Sequence, residues 1–194
     1  YPQFIEARRA RHWAWLAHGR TNSVLHNGIG IDEERRVLGE IVDTLTHTSG
    51  QHPRGWLGPG LSETLNTPRL LAEFGFTYIL DWTNDDQPYA LNVPGLISVP
   101  YSVELNDIGM FVSKGLTGPE ALQMMQDQFD QLYADAAESG RVMALALHPF
   151  VIGQPFRLKY LDQALAYITR HDGVWVTTSD DIAKHFLRRR IPAQ

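Results

Sequence analysis

The chain has 194 residues, 43% of them hydrophobic and 20% charged, with a net charge of −5 and no cysteine. That length suits one ordinary domain with a substantial core, and the balance is that of a soluble globular protein. The composition excludes disulfides, a thiolate nucleophile and a cysteine-based zinc site, and its acidic balance weighs against nucleic acid as the main ligand. No apolar run approaches the roughly 18 to 20 residues that span a bilayer, so no membrane segment is expected. No signal peptide opens the chain, and a cytoplasmic location is the expectation. The chain starts at Tyr1 rather than Met, which suggests a natural start further upstream.

In chain order, residues 2–10 read as a helix. Residues 12–17 form an apolar, strand-like run that ends abruptly in the polar stretch His18-Gly-Arg-Thr-Asn-Ser23. In α/β folds the carboxyl end of a strand is where ligands bind. His18 there can ligate a metal or move a proton. Gly19 lets the backbone turn, and Asn22 lies four residues on, where a second ligand points if the turn is helical. Residues 32–48 carry one apolar stripe (Val37, Leu38, Ile41, Val42, Leu45) behind an acidic first turn of Asp32, Glu33 and Glu34, the pattern of an amphipathic helix. Residues 53–60 are too rich in Gly and Pro for a regular element, and a third helix is expected over 62–74, stopping at Gly75.

Residues 76–80 read as a buried strand that hands over to a polar loop, 81–89, and residues 96–100 as another strand. Thr117-Gly-Pro-Glu120 is a capping box with proline near the first helical position, which predicts a long helix to about residue 139. Residues 142–147 make the clearest strand, closed by His148-Pro149. A helix over 156–170, a strand over 173–177 and a last helix opened by Ser179, Asp180 and Asp181 complete the chain. The arginines at 188–190 suit the end of that helix. Alternating strands and helices predict a parallel sheet with helices outside. About six strand candidates fall short of the eight units and roughly 250 residues of a conventional barrel. The reading is a single barrel-like domain over 1–194 whose first strand or strands are absent from this chain.

His18 and His148 both close apolar strands, whereas His26 and His47 read as structural. Arg54 and Trp56 either set a cation and an aromatic wall beside a substrate or cap the barrel. Asp81, Asp85, Asp86, Glu104 and Asp107 follow strands, where carboxylates serve as general bases or metal ligands; Asn84, Asp85 and Asp86 are equally a turn cap. No phosphate loop, no G-x-S-x-G elbow and no H-E-x-x-H motif occurs, so acyl-enzyme chemistry through serine is unsupported.

The stretches Ala17-His-Gly-Arg-Thr-Asn-Ser23, Arg54-Gly-Trp-Leu-Gly-Pro-Gly60, Asp81-Trp-Thr-Asn-Asp-Asp-Gln-Pro-Tyr89, Tyr101-Ser-Val-Glu-Leu-Asn-Asp-Ile108 and Leu147-His-Pro-Phe-Val-Ile-Gly-Gln-Pro-Phe-Arg157 resemble the polysaccharide deacetylase superfamily (carbohydrate esterase family 4). The likeness is to its allantoinase-like and cyclic-imidase-like branch, and it runs through the whole chain in order. The resemblance implies a distorted (β/α) barrel of about seven strands, one short of the usual eight, and hydrolysis of amide or imide C–N bonds other than peptide bonds. It also implies a small-molecule amide, imide or N-acetyl sugar as substrate, and a homo-oligomer. Metal-dependent members hold a divalent cation through an N-terminal aspartate and a His-x-x-x-His pair. His18 matches the first histidine of that pair and Asn22 the second, and an amide is a much poorer zinc ligand than imidazole. The expectation is therefore no cofactor, with a divalent metal such as zinc bound through His18 as the alternative.

His148 matches the late-strand histidine expected to act as an acid or to orient the substrate, and Arg54 the loop arginine. The family's aspartates are expected before Tyr1, on the absent strand or on a separate piece. In the mechanism so implied, His18 and Asn22 position the carbonyl or stabilise its oxyanion. His148 protonates the departing nitrogen, and Arg54, Trp56, Asp86 and Glu104 hold the substrate. The alternatives are a metal-dependent de-N-acetylase of an N-acetylated sugar or polysaccharide, and a non-catalytic carbohydrate-binding relative.

Overall fold

Five two-residue strands form one sheet: β1 Leu16–Ala17, β2 Gly55–Trp56, β3 Tyr78–Ile79, β4 Tyr89–Ala90 and β5 Ile97–Ser98. They are seen in a computed structural model that describes residues 2–190. The order is β1-β2-β3-β5-β4, with every pairing parallel except β4 on β5. Leu16, Gly55, Tyr78 and Ile97 stand in register across four strands. The described residues divide into two compact units, one of 2–82, 88–99 and 177–190, the other of 83–87 and 100–176. No helix among them is long and apolar enough to cross a membrane.

The sheet belongs to the first unit, with helices α1 Pro2–Ala10, α2 Ile31–Ser49 and α3 Thr67–Glu73. The apolar stripe of α2 buries Val37, Leu38 and Ile41 against Ala17, Trp56, Leu70, Leu71, Phe76, Ile79 and Leu96. Burying a side chain of this kind contributes about 1.5–3 kcal/mol, so this one face supplies much of the unit's cohesion. Glu34, in the acidic first turn of α2, is fully buried and accepts hydrogen bonds from the hydroxyls of Thr64 (2.6 Å) and Thr67. It thereby fastens α2 to the start of α3.

Two expectations for this unit are corrected. Residues 53–60 are not wholly irregular, because Gly55–Trp56 is an inner strand paired on both sides. Glycine here serves close approach rather than a turn: a Cβ at position 55 would lie 2.1 Å from the ring of Tyr78. The third helix starts at Thr67 rather than at 62. Its expected first turn is replaced by side-chain bonds, from Ser62 to the Pro59 carbonyl (2.6 Å) and from the Thr64 N–H to the Thr67 hydroxyl (2.8 Å), which compete with helix formation. The end of the 81–89 loop supplies β4, whose antiparallel pairing makes the sheet mixed. The final helix of the chain, Ser179–Arg190, meets the sheet through Asp180, which accepts a hydrogen bond from the buried Tyr78 hydroxyl at 2.7 Å.

In the second unit a π-helical turn, Ile108–Ser113, precedes α4 Gly118–Asp135, α5 Pro149–Ile152 and α6 Pro155–Thr169, and the last helix of the chain is α7. The capping box at α4 forms as expected, with the Thr117 N–H donating to Glu120 at 2.7 Å, but the helix ends at Asp135 rather than 139. Helices α4 and α6 pack through Met125 and Ala164, joined by Leu105. The expected strand at 142–147 is reduced to one parallel bridge, Asn106 with Ala146. Its bonds, Val142 N–H to Asp86 O (2.9 Å) and Ala146 N–H to Leu105 O (3.0 Å), are too widely separated for a continuous ladder. Residues 173–177 also form no strand, and Trp175 and Val176 are exposed there. Apolar composition favours an extended run, but a ladder requires a partner in register.

Replacing Gly55 with alanine should lower stability by about 1–3 kcal/mol, the usual cost of overpacking, with a matching fall in the urea midpoint. An unchanged midpoint would show that the Tyr78 ring yields without cost.

Candidate active site

His18 leaves β1 into a turn that Gly19 makes at φ +67°, where a Cβ would lie 2.3 Å from Pro59. The parallel pairing of β1 with β2 continues one step beyond the strands, as the Leu57 N–H donates to the Ala17 carbonyl at 2.9 Å. This brings the Leu57 carbonyl to 2.5 Å from His18 Nδ1. A carbonyl oxygen can only accept, so Nδ1 carries the hydrogen, and a neutral His18 presents a lone pair at Nε2. In the neutral ring this arrangement leaves Nε2 an acceptor rather than a donor. Asn22 is exposed in a non-helical turn, so the i, i+4 geometry that would pair it with His18 does not form.

Behind Leu57, the Gly58 N–H donates to Asp81 Oδ1 at 2.6 Å. Asp81 is buried, and burial pushes its carboxyl up to about 8. The carboxyl beside it, Glu63, is also raised by burial and accepts a hydrogen bond from the Trp82 indole at 2.8 Å. Trp56 is fully buried, edge-on to His26 and Phe76. It therefore belongs to the core beneath this network and is not a wall facing ligand. Arg54 is exposed where the chain enters β2, whereas Leu57 leaves that strand. The Arg54 carbonyl accepts the Thr77 N–H at 2.9 Å. His26 is structural as expected: it is buried, and desolvation lowers its pKa.

In the second unit, His148 is held twice by one carboxylate. Asp107, fully buried, accepts the His148 backbone N–H at 2.7 Å and faces ring Nδ1 at 2.6 Å. The ring is fixed in orientation with Nε2 directed away from Asp107, the relation of a general acid to its orienting carboxylate. The sequence marks Asp107 as a candidate general base or metal ligand, and the structure shows it instead as the carboxylate that holds His148. The Asn106–Ala146 bridge brings Asp107 alongside the end of the apolar run, where its side chain reaches the His148 N–H. Asp86 and Glu104 line one cavity of about 660 Å³ with Asn84, Tyr101, Ser102 and Gln128. Asp86 is paired with Arg141 at 3.3 Å and Glu104 with Lys114.

A divalent cation of the kind the resemblance implies takes about three protein ligands. His18 has the tautomer of a metal ligand, but no group of three His, Cys, Asp or Glu among the described residues could hold an ion. These residues do not by themselves fit a metal.

No family model matches the chain. It is 32% identical over 155 residues to a Schizosaccharomyces pombe protein named "Putative polysaccharide deacetylase", a match covering 70% of this chain and 48% of the relative. The crystal structure of Puue allantoinase superimposes with a TM-score of 0.89 at 31% identity, over 98% of this chain and 64% of that one. A Mycobacterium smegmatis crystal structure bearing the same name as the S. pombe protein gives 0.84 at 30% identity, over 98% and 68%. The chain thus spans about half the length of the S. pombe relative and about two thirds of these structures.

The raised pKa of Asp81 has a direct consequence for stability. Its contribution is complete below the ordinary carboxylate value of 3.8 and is lost as pH climbs through about 8. Asp81→Asn removes this dependence, so the thermal midpoint of the wild type should fall relative to the variant between about pH 4 and about pH 8. Parallel curves for the two proteins would contradict the assignment.

Proposed function

The chain belongs to the polysaccharide deacetylase family, and on that premise we propose that it hydrolyses an amide C–N bond other than a peptide bond. An N-acylated amino sugar is the first substrate class. The observation that carries the reading is the Asp107–His148 pair, at 2.6 Å and built on a fully buried carboxylate. Water adds to the carbonyl carbon, the C–N bond breaks as the departing nitrogen takes a proton from His148 Nε2, and a proton released by the added water restores His148. Asp107 steadies the ring while its charge changes. In the first unit, His18 presents a lone pair at Nε2 that accepts a hydrogen bond from substrate or water. The products are a carboxylic acid and a free amine.

The cavity containing Asp86 and Glu104 has the volume of a small-ligand site. Both carboxylates keep lone pairs for sugar hydroxyls while Arg141 and Lys114 balance their charge. A second reading, ring opening of a cyclic amide, is favoured by the likeness to an allantoinase. It uses the same acid, because there too the leaving nitrogen needs a proton.

The test is turnover by the full-length protein on chitin oligosaccharides, with release of acetate, and on cyclic ureides and imides, with ring opening. His148→Gln should lower kcat by about 10²–10⁴-fold, the usual contribution of a general acid, and leave KM within a few-fold. Asp107→Asn should fall in the same direction by less. A His148→Gln protein with wild-type kcat would sink the assignment.

A further inference from the structure

We propose that Asp81 and Glu63 are positioning residues for His18, holding its ring in the Nδ1–H form through the single peptide group that joins Leu57 to Gly58. That peptide is used on both faces. Its carbonyl takes the His18 Nδ1–H at 2.5 Å, and its N–H donates to Asp81 Oδ1 at 2.6 Å. Both contacts lie at or below the short end of the normal range for such bonds. Donating an amide hydrogen to a carboxyl oxygen polarises the amide and makes its carbonyl a better acceptor, since hydrogen bonds in a chain strengthen one another. Asp81 therefore acts on His18 without touching it. Strengthening the Leu57 carbonyl favours hydrogen on Nδ1 and keeps the lone pair at Nε2.

The carboxyl group is fixed in its place. Asp81 follows β3 directly, and the Leu80 N–H before it donates to the Trp56 carbonyl at 2.9 Å. Its second oxygen, Oδ2, is buried without a hydrogen bond of normal geometry. Glu63 is the carboxyl beside it, tethered in turn by the Trp82 indole N–H at 2.8 Å. Two adjacent carboxyls do not both ionise readily. Burial raises both Asp81 and Glu63, and Asp81 Oδ1 accepts from Gly58. An asparagine at position 81 reproduces that arrangement, with an oxygen toward Gly58 and an N–H₂ toward Glu63. A leucine reproduces none of it.

The importance of the His18 tautomer rests on the reading of His18 as substrate-facing, but the tautomer is measurable without substrate. The experiment is a long-range ¹H–¹⁵N spectrum of the histidine rings in the full-length protein at neutral pH, with His18→Gln to assign the His18 signals. The wild type and Asp81→Asn should both show a protonated Nδ1 and a pyridine-like Nε2. In Asp81→Leu the two ring nitrogens should move toward the averaged shifts of a tautomer mixture. A folded Asp81→Leu protein with the wild-type ring pattern overturns the proposal. Should Asp81→Leu fail to fold, Glu63→Ala takes its place: the Gly58 amide and the His18 ring signals should shift together. A Gly58 shift with an unmoved His18 ring overturns the proposal equally. If hydrolysis is absent while the ring patterns follow Asp81 as expected, the substrate reading has failed and the positioning role stands.

Discussion

The hydrogen bond from the Leu57 N–H to the Ala17 carbonyl, at 2.9 Å, is the constraint on which the first unit's site depends. It extends the parallel register of β1 and β2 one residue past the strands and so delivers the next carbonyl to His18. The register itself is held from the far side, where Gly55 leaves room for the Tyr78 ring and β3 can approach β2. Core packing, strand pairing and the orientation of one imidazole are therefore a single problem. A backbone group in a sheet must be paired, and here satisfying that demand also sets a side chain.

The two strand-end histidines are held by the same ring atom but by different partners. A backbone carbonyl takes Nδ1 of His18, and a buried carboxylate takes Nδ1 of His148. The carbonyl is neutral and suits a ring that acts through its lone pair. The carboxylate is charged and suits a ring that gains and loses a proton.

Helical elements were legible because their signals are local. The stripe of Val37, Leu38 and Ile41, and the capping box of Thr117 with Glu120, each lie within one or two turns. Strands were less legible. Gly55 and Trp56 stand among residues that otherwise mark a turn, and the apolar run at 142–147 reads as a strand although it forms only one bridge. The candidate site shows the same split. His18 and His148 announce themselves by ending apolar runs. The roles of Asp107 and Asp81 do not show, since each depends on a residue more than twenty positions away. From the sequence Trp56 reads equally as a ligand wall or as a barrel cap, and the core claims it because α2 covers that side of the sheet.

From the sequence alone come the mixed α/β class, the helices, the family resemblance and the two histidines, all of which rest on short-range patterns of polarity and residue type. Tertiary structure alone decides the hydrogen-bond partner of each histidine, the tautomer of His18 and the burial of Asp81 and Trp56. The physical reason is that a tautomer and a pKa depend on which groups lie within a few ångströms, and strand register, not sequence spacing, brings those groups together.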